Sequence, residues 1–145
     1  MLDNMKELLK AKDICVLATV SDNRPHCSLM VYATDEQYRE IYMVTHRQTK
    51  KFRNLTENPL VSLLIDTREE DFGPRRSNAK ALTVNGIFRV MNEPHERESI
   101  LARLVQRHPH LKGFAEDPDA ELIRIKIESF LLLEGLTSSH FEAIN

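Results

Sequence analysis

A cluster of cationic and hydroxyl side chains at residues 45–52 is the part of the sequence best suited to bind an anion. The preceding residues, 41–44, are apolar and predict a strand. Residues 51–58 predict a short helix that ends before a proline. Thr49 stands at the expected N-cap, where a hydroxyl can accept a hydrogen bond from a backbone amide of the first turn. The spacing therefore predicts a strand that leads directly into a capped helix start.

The charges at this predicted helix start are the reverse of what a helix N-terminus prefers, because its partial positive charge favours Asp or Glu. The segment carries Arg47, Lys50, Lys51 and Arg53, and its first carboxylate is Glu57 in the last turn. Free amides beside cationic side chains are typical of a phosphate site. A solvated basic loop, at a cost of roughly a few tenths of a kcal/mol, explains the same charges. The residue types alone leave both interpretations open.

The rest of the chain contains no recognisable catalytic motif. Glycine-rich phosphate loops and the Gly-x-Ser-x-Gly turn are absent, and the chain has only 4 glycines. The closest histidine pair, His108 and His110, is separated by a proline, which suits a helix end better than a metal site. We therefore predict no metal site and name no catalytic residue. Any chemistry is expected to come from a bound cofactor.

The composition is that of an ordinary globular chain, with one domain expected over residues 1–145. A formal net charge of -2 argues against general nucleic-acid binding. No apolar run reaches the roughly 20 residues of a membrane span, and the N-terminal residues do not resemble a secretory signal. Cys15 and Cys27 lack metal or redox spacing and are expected to be reduced, buried thiols. We therefore expect a cytoplasmic protein that binds neither nucleic acid nor membranes.

The elements that must position the cationic cluster are mainly strands. Apolar runs and alternating patterns predict strands at residues 14–20, 26–33, 41–45, 60–65, 80–90 and 121–133. Helical patterns are found at residues 2–12, 51–58 and 93–107. Short turns and the lack of a βαβ rhythm predict a mainly β (α+β) fold: a six-stranded antiparallel split β-barrel with peripheral helices.

Two features of the predicted strands point to further contacts. Gly86 lies within a strand, which indicates a bulge, a barrel bend, or the close approach of a ligand or another backbone. Residues 130–133 are apolar on both faces, which predicts that this strand enters an interface. Residues 26–33 have one face of mixed polarity, which suits either a ligand cleft or a partner subunit.

The order of these segments resembles the pyridoxamine 5'-phosphate oxidase-like, FMN-binding split-barrel family, from about residue 14 to residue 136. The resemblance rests on residues 16–20 (VLATV) followed by 24–28 (RPHCS), 41–45 (IYMVT), 49–51 (TKK), 58–62 (NPLVS) and 84–86 (VNG). The segments match the family in their order and spacing taken together.

This resemblance implies a homodimer with two FMN molecules in clefts between the subunits. It assigns the FMN phosphate to Thr49, Lys50 and Lys51, and it places Thr45 and His46 beside the flavin or its ribityl chain. The residues expected to flank the isoalloxazine ring, largely through backbone groups, are Ser28, Leu29, Met30 and Val31. The second subunit is expected to contribute from the region of Arg68 and Asn85-Gly86.

The chain differs from the vitamin-synthesising oxidases of the family, which are longer and end in a segment with Arg and His. Residues 136–145 contain no arginine and a single histidine. The resemblance therefore implies one of the short bacterial members, an FMN-dependent oxidoreductase such as a flavin reductase or a nitroreductase-like enzyme, of unknown substrate. Two alternatives stay open. One is a non-catalytic FMN or haem carrier, and the other is a dimeric interaction module without a cofactor.

Overall fold

The computed structural model describes residues 1–145 and contains eight strands and four α-helices. The strands are β1 (Ile14–Ser21), β2 (Arg24–Val31), β3 (Ala33–Thr34), β4 (Glu40–His46), β5 (Leu60–Asp66), β6 (Lys80–Arg89), β7 (Ala120–Glu134) and β8 (Ser138–Ala143). The helices are α1 (Leu2–Ala11), α2 (Lys50–Glu57), α3 (Pro94–Arg107) and α4 (Lys112–Ala115), with 3-10 helices at Gly73–Asn78 and Pro109–Leu111. All six predicted strand segments and all three predicted helices form at these places in the chain.

The strands build one antiparallel sheet in the order β2-β1-β5-β6-β7-β4-β3, and β8 pairs with the C-terminal half of β7. The first and last strands of this order, β2 and β3, are separated in the chain only by Tyr32. The chain itself therefore joins the two ends of the sheet, which curls into a half-barrel. This confirms the predicted mainly β, antiparallel split-barrel fold.

The predicted number of six strands was wrong, since there are eight. The predicted strand 26–33 is interrupted at Tyr32, whose buried hydroxyl donates to the carbonyl of Leu9 at 2.6 Å. Its amide donates to the carbonyl of Asp13, after which Ala33–Thr34 pairs with β4 instead of β1. The last strand, β8, was missed because its only large apolar side chain is Phe141, which leaves almost no alternation to detect.

The core explains why β4 is apolar throughout. Ile41 and Met43 face the barrel and belong to the main cluster of buried residues. Tyr42 and Val44 face the other way and pack beneath Leu104 of α3 in a second, smaller cluster. Because both faces of β4 are buried, the strand reads as a continuous apolar run.

The expectation that both cysteines are buried is correct for Cys15 and wrong for Cys27, which is exposed on β2, the first strand of the sheet order.

One face of the sheet is apolar but uncovered. We call it the outer apolar face and define it by Leu29, Leu60, Leu131, Leu133 and Phe141. The strand register places all five side chains on the same side of the sheet, across β2, β5, β7 and β8. Each is between 40% and 71% exposed. An apolar surface shared by four strands is typical of an interaction site.

No helix of the structure combines the length and the apolar character that crossing a membrane requires.

Gly86 marks a β-bulge in β6, where the register with β7 shifts between Asn85 and Gly86. A Cβ atom at this position would lie 2.6 Å from Ile125 Cγ2 and 2.6 Å from the carbonyl oxygen of Lys126. Of the alternatives that the sequence left open at Gly86, the structure shows a bulge and the close approach of another backbone.

We expect Gly86→Ala to lower the free energy of unfolding by about 1–3 kcal/mol, because the added methyl group forces β6 away from β7. Chemical denaturation followed by circular dichroism measures this change. Gly113→Ala is the matched control, since no atom lies within 4 Å of a Cβ atom at that helical position. Equal losses of stability in both variants would contradict the packing argument.

Candidate functional site

The cationic cluster lies at the N-terminus of α2, directly after β4. The Oγ1 atom of Thr49 accepts a hydrogen bond from the backbone amide of Phe52 at 3.3 Å, which confirms Thr49 as the N-cap. The helix begins at Lys50, one residue before the predicted start, and its first turn contains no acidic residue.

Hydroxyl groups connect the end of β4 to this helix start. Thr45 is buried, and its Oγ1 lies 3.2 Å from the Oγ1 of Thr49. The Thr49 hydroxyl also donates to the carbonyl of His46 at 3.0 Å. These bonds fix the orientation of the first turn of α2 relative to the strand.

The cations of the cluster fall into two groups. Arg47 is bound within the chain, since its Nε donates to Glu121 Oε1 at 2.9 Å. Lys50, Lys51 and Arg53 form no ion pair with a carboxylate of the chain. Three cationic side chains at the start of α2 are therefore available to an external anion, and Arg47 is not.

A buried polar contact, which sequence reasoning missed, holds α2 against the barrel. The Nδ2 of Asn54 donates to Thr19 Oγ1 of β1 at 3.1 Å, and both residues are buried. Leu55 packs into the main core beside this contact. Neither polar residue stands in a pattern that would have revealed the pair, because they lie in separate elements.

His46 is held by residues from a distant part of the chain. Its ring stacks on Phe114 of α4, with the centroids 4.2 Å apart and the planes 3° from parallel. Its Nε2 lies 3.5 Å from Asp117 Oδ2. This nitrogen is buried and makes no hydrogen bond, whereas the side chain as a whole is 43% exposed. Phe114 and Asp117 were not predicted as neighbours of His46, since they belong to the irregular segment before β7.

The four predicted ring-flanking residues occupy β2, and they alternate between its two faces. Ser28 pairs with Leu17 and, like buried Met30, lies on the barrel side. Leu29 and Val31 lie on the opposite side, and Leu29 is part of the outer apolar face. A ligand on the outer side would therefore meet the side chains of only two of the four.

Arg68 and Leu29 line the same small cleft, of about 180 Å³, at the start of β1. The Nε of Arg68 donates to both carboxylate oxygens of Asp66, at 2.9 and 2.8 Å. This bonded carboxylate raises the pKa of the Arg68 guanidinium above its usual value. The side chain is exposed and stays cationic.

Asn85 lines a separate groove of about 370 Å³, which it shares with Gly86 and with residues of β1 and β5. Its Oδ1 accepts a hydrogen bond from the hydroxyl of Ser62. The structure thus brings Thr45, His46, Thr49, Lys50 and Lys51 together at one corner. It places Arg68 beside Leu29, and it places Asn85 on the same side of the sheet as Leu29 but in a separate groove.

Comparisons with a family model and with a curated relative point to the same family. The model of the family described as pyridoxamine 5'-phosphate oxidase matches residues 1–134. A Schizosaccharomyces pombe protein named as a pyridoxamine 5'-phosphate oxidase homolog is 27% identical, over 86% of this chain and 80% of that protein.

Two solved structures share the fold at low sequence identity. The haem storage protein of Vibrio cholerae is 21% identical with a TM-score of 0.75, over 92% of this chain and 93% of the other. An FAD-binding protein of Mesorhizobium loti is 19% identical with a TM-score of 0.71, over 91% and 93% of the two chains. With its curled antiparallel sheet and a family match over nearly its whole length, this chain belongs to the pyridoxamine 5'-phosphate oxidase-like split-barrel family.

Proposed function

We propose that this protein is an FMN-binding flavoprotein that works as an oxidoreductase on a small molecule, as a homodimer with FMN between the subunits. The observation that carries the proposal is the start of α2, where Lys50 and Lys51 have no carboxylate partner and Thr49 caps the helix. The family match supports a flavin as the ligand at this corner.

The chemistry of the α2 corner fits a phosphate group. The first amides of a helix lack intrahelical partners and can donate to an anion. Two lysines and a hydroxyl add charge-assisted and neutral hydrogen bonds. In this proposal Thr49, Lys50 and Lys51 hold the FMN phosphate, and Thr45 supports them from beneath because it bonds to Thr49.

The separation of the remaining site residues supports a site built from two subunits. Leu29 with Arg68 and Asn85 lie on surfaces distinct from the α2 corner in one chain. Leu29 is part of the outer apolar face, and Asn85 of β6 lies on the same side of the sheet. Pairing two copies through this face would cover its apolar side chains and bring Arg68 and Asn85 of one copy towards the FMN held by the other.

Bound FMN would supply hydride and single-electron transfer, which no side chain of this protein can supply. The protein's residues would bind the phosphate and cover part of the flavin. In this proposal His46, held by its stack on Phe114, would pack against the flavin or donate a hydrogen bond to it. No residue is assigned as an acid or base.

A non-catalytic FMN or haem carrier is the second candidate. It is supported by the likeness of the fold to a haem storage protein over nearly the full length of both chains. The two candidates differ in what the purified protein absorbs and in whether it oxidises a reduced nicotinamide.

An absorbance spectrum of protein purified without added cofactor tests the proposal. We expect flavin bands, or their appearance after FMN is added, together with oxidation of NADPH or NADH by an added electron acceptor. Flavin bands without nicotinamide oxidation would favour the carrier. A haem Soret band, or a protein that takes up no FMN, would contradict the flavoprotein proposal.

A further inference from the structure

A cavity open to solvent lies away from the α2 corner, among the end of α1, strand β3 and the last turns of α3. It has a volume of about 420 Å³ and is lined by three cationic side chains, Lys10, Arg103 and Arg107. No carboxylate lines it. In a chain whose formal net charge is -2, such a concentration of positive charge requires an explanation.

Arg107 is held in place before any ligand arrives. Its Nη2 donates to the carbonyl of Lys10 at 3.1 Å and to the carbonyl of Lys12. Its guanidinium carbon lies 5.3 Å from the centre of the Tyr32 ring. These contacts stabilise the end of α1, and none of them involves Nε or Nη1 of Arg107.

Arg103 lies one turn earlier on the same face of α3. Its Nε donates to the carbonyl of Thr34 at 3.1 Å. Its nearest carboxylate, Glu36 at 3.8 Å, is 87% exposed and neutralises little of its charge. Two like charges four residues apart on a helix repel each other, and an anion between them would remove that repulsion.

Tyr38 closes one side of the same cavity from the turn between β3 and β4. Its backbone has a φ of 55, the left-handed conformation that a bulky residue rarely adopts. The side chain lines the cavity and packs against the main core. This conformation belongs to the turn itself, in which Asp35 Oδ1 accepts hydrogen bonds from the backbone amides of Arg39 and Glu40.

We propose that this cavity binds the phosphate group of a small metabolite. Arg103 and Arg107 would donate to phosphate oxygens through the guanidinium nitrogens that are not bonded to backbone carbonyls, and Lys10 would supply a third charge. The volume lies in the range of small-molecule pockets. The cavity shares no residue with the proposed flavin site, so either proposal stands without the other.

Titration of the full chain with inorganic phosphate, at constant ionic strength set with chloride, tests this site. The amide signals of Thr34, Tyr38, Arg103 and Arg107 in nitrogen–proton NMR spectra should shift and saturate. Because phosphate can also reach the α2 corner, the titration is repeated on Lys50→Ala/Lys51→Ala protein. The cavity signals should shift there as they do in the wild type.

The variant Lys10→Gln/Arg103→Gln should bind phosphate at least about tenfold more weakly, since each lost charged hydrogen bond is worth at least that factor. Lys6→Gln/Lys112→Gln removes the same charge from residues that do not line the cavity. Lys10 lies at an exposed helix position, so Lys10→Gln alone should fold. If the double variant does not fold, weaker phosphate binding by this single variant tests the site instead. The proposal is overturned by shifts confined to the start of α2, by shifts that do not saturate, or by equal weakening in the control.

Discussion

Lys50→Ala/Lys51→Ala should bind FMN about a hundredfold to ten-thousandfold more weakly than the wild type. Each lysine lacks a carboxylate partner in the chain, so its charged hydrogen bond to a phosphate, worth about 1.5–3 kcal/mol, is lost without replacement. Quenching of FMN fluorescence on titration with the apoprotein measures the change. The affinity of the wild type should also fall as salt is added, and that of the variant should fall less.

Arg47→Ala is the matched control for this variant. It removes a cation from the same corner, but one already bonded to Glu121 at 2.9 Å. We expect its FMN affinity to stay close to that of the wild type. If the double lysine variant folds normally and retains FMN as tightly as the wild type, the assignment of the phosphate to the start of α2 is wrong.

Leu131→Asp should convert the proposed homodimer into monomers and release FMN at the same time. Leu131 lies in the centre of the outer apolar face, between Thr83 of β6 and Phe141 of β8. An unpaired carboxylate buried between two subunits costs several kcal/mol. Light scattering after size-exclusion chromatography measures the oligomeric state, and the absorbance of the same peak measures the flavin retained.

Val90→Asp provides the comparison for Leu131→Asp. Val90 is similarly apolar and exposed, but it follows β6 and is not part of the outer apolar face. This variant should remain a dimer with normal flavin content. A Leu131→Asp protein that remains dimeric would place the interface elsewhere, and a wild-type monomer that holds FMN would remove the need for a partner.

Local patterns were sufficient to predict most of the fold. The apolar runs of β4 and β5 and the hydroxyl of Thr49 before a helical segment depend on neighbours in sequence, and each formed as predicted. The interruption at Tyr32 could not be predicted in this way, because it depends on Leu9 and Asp13, which reach it only in the folded chain.

The candidate site likewise contains residues that are neighbours in sequence and residues that only folding brings together. The α2 corner is contiguous in sequence from Thr45 to Lys51, and its charge pattern was visible at once. The stack of His46 on Phe114 joins residues far apart in sequence, and no local periodicity reports it. The cavity of Lys10, Arg103 and Arg107 likewise depends on how α1 and α3 meet. Only the three-dimensional arrangement shows that these charges converge.

The central position of β7 has a consequence for how the protein is made. β7 has β6 on one edge and both β4 and β8 on the other, and its pairing with β4 joins residues more than half the chain apart. β4 and β6 leave the ribosome before β7 does. During synthesis the edge of each strand that will pair with β7 therefore has unpaired backbone groups. Because such distant pairings make folding slow, we expect the barrel to close only after nearly the whole chain has emerged.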